Sequence, residues 1–299
     1  MRGSSTAWLG LQNAGEPGHE SGRRLTAEQF LRLKHFIEKE LGIRMPEAKR
    51  LMLESRLVKR LRALNLSSFE EYIDLVFAEG QREAELLHMI DAVTTNKTDF
   101  FREADHFDFL RERVLPAVLD ECVRARRPCR VWSAACSSGE EPYTLAMVLE
   151  EFRAEHEQFS YTLHGTDIST AVLERAARAV YPEDRAAPIS ETLRKRYLLR
   201  SKDRSARLVR VKAQLRNRVT FGRLNLMSDN YGFQNPFDVV FCRNVLIYFE
   251  RPNQYRILRR LSRCLRPGGY LFLGHSETIT GFDLPLTAVG PTVYRKTEA

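Results

Sequence analysis

Residues Arg130 to Ala146, RVWSAACSSGEEPYTLA, gather the side chains and turn residues best suited to chemistry. Val131, Trp132 and Ala134 alternate like a short buried strand, small residues run from Ala135 to Gly139, and from Glu140 the pattern turns helical. The stretch predicts a strand, a tight turn and a helix. Small side chains in the turn let a ligand approach the backbone, and Gly139 can take dihedral angles that other residues resist. Pro142 falls in the first helical turn, where its missing N–H costs nothing. Two carboxylates, Glu140 and Glu141, stand at the mouth of the helix.

A dinucleotide site calls for G-x-G-x-x-G, so that pyrophosphate can rest on the helix N-terminus. This turn has one glycine and two acids, which repel phosphate. They suit a ligand with an ammonium or a sulfonium, and S-adenosylmethionine carries both without a phosphate. The competing reading is a plain strand-to-helix connection whose acidic first turn is solvated and stabilised by the helix dipole.

Three further stretches carry candidate residues. Thr94 to Arg102, TTNKTDFFR, is polar and ends in two phenylalanines and an arginine. Either Asn96 and Thr98 are turn and cap residues with the phenylalanines as core anchors, or the segment folds over a ligand and Arg102 pairs with a carboxylate. Asp167 closes a predicted strand from Tyr161, a place from which an acid accepts hydrogen bonds from ribose hydroxyls; capping the following helix is the structural alternative. Phe237 to Phe241, FDVVF, reads as a fully buried strand running into Cys242, Arg243 and Asn244, and polar residues at such an edge are where open α/β sheets bind ligands.

The elements that position these residues follow from the rest of the chain. With 299 residues, 43% hydrophobic and 29% charged, it can build one large and one small domain without metal or disulfide staples. No apolar run approaches a membrane span or a signal peptide, and none of the five cysteines forms a C-x-x-C pair, so a cytoplasmic protein with free thiols and no zinc is expected. Residues 1–24, rich in glycine and serine, read as a disordered tail. Residues 25–93 read as a helical domain: Thr26 caps a helix carrying Phe30, Leu33, Ile37 and Leu41 that stops at Gly42, and helices are predicted over 46–64, 69–78 and 83–93, the last with Leu86, Leu87, Ile90 and Val93 inward. Residues 94–299 read as a doubly wound α/β domain in which a small antiparallel insertion, residues 182–222, takes in Leu208 to Val211 and Val219 to Phe221. A helix is predicted from Pro252 to Leu265, stopped by Pro267-Gly268-Gly269, and the last strand, near Val293 to Arg295, is predicted to return antiparallel as the sheet edge.

The formal net charge of +8 implies an acidic partner. Much of it sits on the second helix, where Lys49, Arg50, Arg56, Lys59, Arg60 and Arg62 face only Glu47 and Glu54. Such a face is either merely solvated or visited by something negative.

Taken together, TDFFR, SAACSSGEEPYTLA, GTD, LNL, FCRNVLIYF and LRPGGYLFLGHSE resemble the CheR-type chemoreceptor glutamate methyltransferases, from about Thr26 to Tyr294. The resemblance implies a Rossmann-like S-adenosylmethionine-dependent methyltransferase domain with a small β insertion, behind a small all-helical domain. It implies transfer of the methyl group to glutamates of membrane chemoreceptors, leaving S-adenosylhomocysteine. By motif, Asn96, Thr98 and Arg102 would line the cofactor pocket, with Glu141 near the methionine amino group and Asp167 on the ribose. Asn225 and Leu226 would flank the adenine, Arg243 and Asn244 form the floor, and Tyr248 lie beside the transferable methyl, so that Arg102 and Tyr248 are the candidate catalytic residues. The basic helix, through Lys49, Arg50, Arg56 and Arg60, would dock on the acidic methylation region of the receptor, which alone would bring the protein to the membrane. In some members the β insertion grips a receptor C-terminal peptide; here its loop, SKDRSAR, has no glycine, a departure that weighs against this role.

A glutamate acceptor is already ionised at neutral pH, so no general base is required. That agrees with a sequence offering no evident His–Asp or Cys–His pair. Two rival readings are a nucleic-acid methyltransferase, suggested by the charge, and a non-catalytic cofactor-binding scaffold.

Overall fold

The computed structural model describes residues 24–78 and 82–297. The expected tail, except for Arg24, lies outside the described residues. The first helix, α1 (Ala27–Phe36), opens with a reciprocal cap in which Thr26 Oγ1 accepts from the Gln29 N–H and the Gln29 side chain accepts from the Thr26 N–H. It runs on through a π turn, Ile37–Leu41, and closes at Gly42, whose φ of +68° the absent Cβ makes inexpensive. Next come α2 (Arg50–Ala63), which buries Leu53, Leu57 and Leu61, then α3 (Phe69–Phe77) and α4 (Arg82–Val93). In α4 the buried positions are Glu85, Met89, Ile90 and Val93, whereas Leu86 and Leu87, predicted inward, are half-buried. Glu85 takes the inner place because it accepts a two-pronged ion pair from Arg60 and a hydrogen bond from the Tyr72 hydroxyl.

In the second domain α5 (Asp105–Phe109) and α6 (Leu115–Arg124) are joined by a π turn. There follow β1 (Cys129–Ala134), α7 (Glu140–Glu155), β2 (Tyr161–Asp167), α8 (Thr170–Arg178), β3 (Val180–Pro182), α9 (Glu191–Tyr197), β4 (Leu198–Arg200) and β5 (Leu208–Val211). The chain continues with α10 (Ala213–Arg216), β6 (Val219–Arg223), β7 (Phe237–Cys242), α11 (Arg251–Cys264), β8 (Leu265–Leu273), β9 (Leu286–Gly290) and β10 (Val293–Lys296). Seven strands form the main sheet in the order β6-β2-β1-β7-β8-β10-β9, parallel from β6 to β8, with β10 antiparallel to both neighbours. The winding reverses at β1, whose neighbours are β2 and β7. The carboxyl ends of those strands are therefore the place for a ligand.

Several elements differ from expectation. Val219–Phe221 is not part of the insertion: as β6 it pairs in parallel with β2, Leu163 opposite Val219. A short alternating strand reads the same whichever sheet receives it. The insertion is the antiparallel sheet β3-β5-β4, with Leu198–Arg200 as one of its edges. Helix α11 runs as expected and ends at Cys264, but Pro267-Gly268-Gly269, expected as its stop, lies within β8, where the pairing with β7 slips between Phe237 and Val239. The antiparallel return of β10 is as predicted, but β9, with Leu286 as its one buried residue, covers it and makes the edge.

Candidate active site

A cleft of about 1140 Å³, mouth included, opens over the carboxyl ends of β1, β2 and β7. Its lining contains Asn96, Thr98, Arg102, Glu141, Asp167, Asn225, Leu226, Arg243, Asn244 and Tyr248, together with Lys49 from the helical domain. Arg50, Arg56 and Arg60 are not among the lining residues.

The turn after β1 shapes one wall. Ala135 and Ser137 take φ values of +57° and +50°, and Gly139 takes +96° as it starts α7. A Cβ on Gly139 would lie 2.8 Å from Ala176 Cβ and 2.9 Å from the Tyr181 hydroxyl, so this glycine serves turn geometry and helix packing; Ala135, Cys136 and Ser137 are the turn residues that face the cleft. The two acids that follow part company. Glu140 is 2% exposed and pairs at 2.8 Å with Arg185 of the insertion, away from the cleft, whereas Glu141 points into it. Glu141 accepts from Ser133 Oγ at 2.7 Å and lies 3.3 Å from Arg243 Nε. Burial raises its pKa, partly opposed by Arg243.

Asp167 accepts from the backbone N–H groups of Ser137 and Ser169, at 2.9 and 3.0 Å, while burial pushes its pKa up. The cap of α8 is Ser169. Asn225 donates to the Glu40 carbonyl at 2.9 Å, tying the two domains together, and Leu226 is buried beneath the cleft. Ile43 pairs with Phe249 as an antiparallel bridge, and the Arg44 N–H donates to the Tyr248 carbonyl at 2.8 Å. Through these contacts Leu41, Ile43, Met45 and Met52 wall one side of the cleft. No periodicity within the helical domain could have revealed that role.

Behind β7, Asn244 adopts a φ of +57° and donates to Glu103 at 2.9 Å. The buried carboxylate of Glu277 holds this loop, accepting from the N–H groups of Asn244, Leu246 and Gly274 at 2.9, 2.7 and 2.7 Å. Sequence reasoning quoted Glu277 as the end of a motif but gave it no task. A signal was present: an acid three residues beyond Gly274, just past the apolar run Tyr270–Leu273.

The segment 94–102 has no regular structure, so its backbone groups find side-chain partners. Ser137 Oγ donates to the Asn96 carbonyl at 3.0 Å, the Phe101 N–H donates to Thr144 Oγ1 at 3.1 Å, and guanidinium groups of Arg185 and Arg243 donate to the carbonyls of Thr98 and Arg102. Phe100 is a buried anchor against Tyr181, and Asn96, Thr98 and Arg102 line the cleft. Arg102 itself donates to the Lys97 carbonyl at 3.0 Å.

The chain matches the family model of the CheR methyltransferase S-adenosylmethionine-binding domain over residues 96–294 and that of the CheR methyltransferase all-alpha domain over 28–94. The chain belongs to the CheR methyltransferase family. It is 38% identical to the chemotaxis protein methyltransferase of Borreliella burgdorferi, covering 91% of this chain and 95% of that one. It is 39% identical to that of Escherichia coli (90% and 91%) and 38% identical to chemotaxis protein methyltransferase 2 of Pseudomonas aeruginosa (90% and 93%). With the family come the Rossmann-like fold, methyltransferase activity and S-adenosylmethionine as methyl donor.

The cleft fits that donor. Arg243 is buried with its Nη1 lacking a hydrogen-bond partner among the described residues, which suits a carboxylate, and the carboxylates of Glu141 and Asp167 suit an ammonium and ribose hydroxyls. No helix among the described residues is long and apolar enough to cross a membrane.

Proposed function

We propose that this CheR-family methyltransferase esterifies glutamate side chains of membrane chemoreceptors, acting in the cytoplasm and reaching the membrane only through those receptors. One observation carries the reading: Lys49 Nζ, from the helical domain, lies 5.9 Å from the ring centre of Tyr248 in the same cleft as Glu141 and Asp167. A cation at that place draws in an acceptor that is itself an anion.

The bound donor supplies an electrophilic methyl group on a sulfonium. The protein's residues do the rest by placement. Glu141 and Arg243 hold the amino-acid end, Asp167 the ribose, and Asn225 with Leu226 the adenine side, while Arg102 orients carboxylates and Tyr248 positions the reacting end. No histidine lines the cleft among the described residues, and an acceptor ionised at neutral pH needs none. Alignment of two reactants in a shielded cleft can itself supply about 7–11 kcal/mol. Strong pairing of the acceptor carboxylate before reaction would work against turnover, because attack removes both charges.

Docking on an acidic receptor segment falls to Lys49 and Arg50 at the start of α2 and to exposed Lys59 and Arg62 near its far end, since Arg56 and Arg60 are engaged within the helical domain. The test is incubation with labelled S-adenosylmethionine and receptor-containing membranes, followed by alkali. Methyl esters release volatile methanol. Label resistant to alkali and carried by RNA or DNA would support the nucleic-acid reading, and cofactor binding without any transfer the scaffold reading.

A further inference from the structure

One side chain of the β insertion reaches the segment that lines the cofactor cleft and the helix behind it. Arg185, in the short turn Glu183–Ala186 that follows β3, reaches three acceptors from two other elements. It donates to the Thr98 carbonyl, lies 3.0 Å from Asp99 Oδ1 and pairs with Glu140 Oε1 at 2.8 Å. Thr98 and Asp99 line the cleft, whereas Glu140 begins α7 behind it. Beside this contact the Tyr181 hydroxyl donates to the Ser138 carbonyl at 2.8 Å, and its ring packs edge-on against Phe100.

We propose that Arg185 is a positioning residue for cofactor binding, clamping the segment Thr98–Asp99 against the start of α7. The geometry favours this over simple neutralisation of Glu140. A lysine at this place would offset the charge, but only a planar fork serves a carbonyl and two carboxylates together. The segment has no helix or strand of its own to hold Thr98 in place, so its order depends on such external donors. The insertion thereby becomes part of the cofactor site, whatever else it binds. The inference needs only the family's donor and not the identity of the acceptor.

The experiment measures S-adenosylhomocysteine affinity by calorimetry, and KM and kcat for the donor, in full-length Arg185→Ala, Arg185→Lys, Glu140→Gln and the Arg185→Ala/Glu140→Gln double variant. Arg200→Ala, which breaks an exposed ion pair with Glu183 in the same insertion, is the control and should keep wild-type affinity. Arg185→Ala is expected to weaken binding about tenfold or more, the scale of a lost charged hydrogen bond, with kcat within about twofold. Arg185→Lys should recover part of the loss. The double variant decides the matter, because it removes the unpaired buried acid: affinity still weakened upholds the clamp, whereas affinity restored to the wild-type value overturns it. Wild-type affinity in Arg185→Ala alone would overturn it equally.

Discussion

Arg243 Nε lies 3.3 Å from Glu141 Oε2 inside the cleft, with the arginine side chain 1% exposed and the carboxylate side chain 13%. Burial raises the Glu141 pKa and Arg243 only partly offsets it, so this acid takes up a proton above the usual carboxylate range. A cationic ligand group loses its partner when that happens. Affinity for S-adenosylhomocysteine is therefore expected to fall as pH is lowered, beginning above the ordinary glutamate value. Glu141→Gln should weaken binding about tenfold or more at neutral pH and flatten that dependence. Because the folded pKa is raised, ionised Glu141 opposes folding above it, so the thermal midpoint of the variant at neutral pH should be no lower than wild type. Calorimetric titrations across pH check the first part, and a melting curve the second.

The cations of α2 divide into two sets that respond to substitution in opposite ways. Arg60 holds Glu85, whose side chain is 7% exposed, at 2.6 and 3.0 Å, and Glu85 also accepts from the Tyr72 hydroxyl. Arg60→Ala strands that acid and should cost about 3 kcal/mol of stability, while the folded fraction keeps its KM for receptor. Lys59→Glu and Arg62→Glu should instead leave the unfolding free energy in urea within about 0.5 kcal/mol of wild type and raise the receptor KM, more so at low salt.

His106 is 1% exposed, and burial, helped by nearby Arg243, lowers its pKa to about 4. The unfolded chain binds a proton on this residue near pH 6.5 that the folded protein refuses, so stability present above that pH is lost as pH falls toward about 4. The shift corresponds to a loss on the order of 3 kcal/mol. Urea unfolding at pH 7 and pH 5 should show a larger drop for wild type than for His106→Asn. The difference between the two proteins isolates this residue from the buried acids Glu141, Asp167 and Glu277, whose raised pKa values act in the opposite sense.

Local chemistry was legible in the sequence wherever one element carried its own signal. The cap at Thr26, the buried run of β7 and the turn at Gly139 belong to such elements. Pairing partners were not, because Val219–Phe221 has the same alternation whether it joins β2 or the insertion. The cleft followed a similar division. Residues at the ends of β1, β2 and β7 could be named from where the predicted strands stop, but Arg185 and Glu277 act on backbone groups far away in sequence, and Met45 and Met52 face the cleft only because Asn225 and Phe249 draw the helical domain against it. The helix itself sends Glu140 and Glu141 about 100° apart, and Arg185, distant in sequence, is the partner that Glu140 meets away from the cleft.

Tyr248 ends a short 3-10 turn, Leu246–Tyr248, whose first N–H is held by Glu277 and whose last carbonyl accepts from the Arg44 N–H. Both anchors are backbone contacts, so Tyr248→Phe leaves the turn and the ring in place and removes only the hydroxyl. If that hydroxyl positions the reacting end of the donor, kcat should fall at least about tenfold while S-adenosylhomocysteine affinity stays within about twofold. Rapid-quench measurement of methyl transfer beside calorimetric binding separates the two quantities. A variant that binds the cofactor poorly but turns over normally once saturated would show that Tyr248 belongs to the binding wall alone.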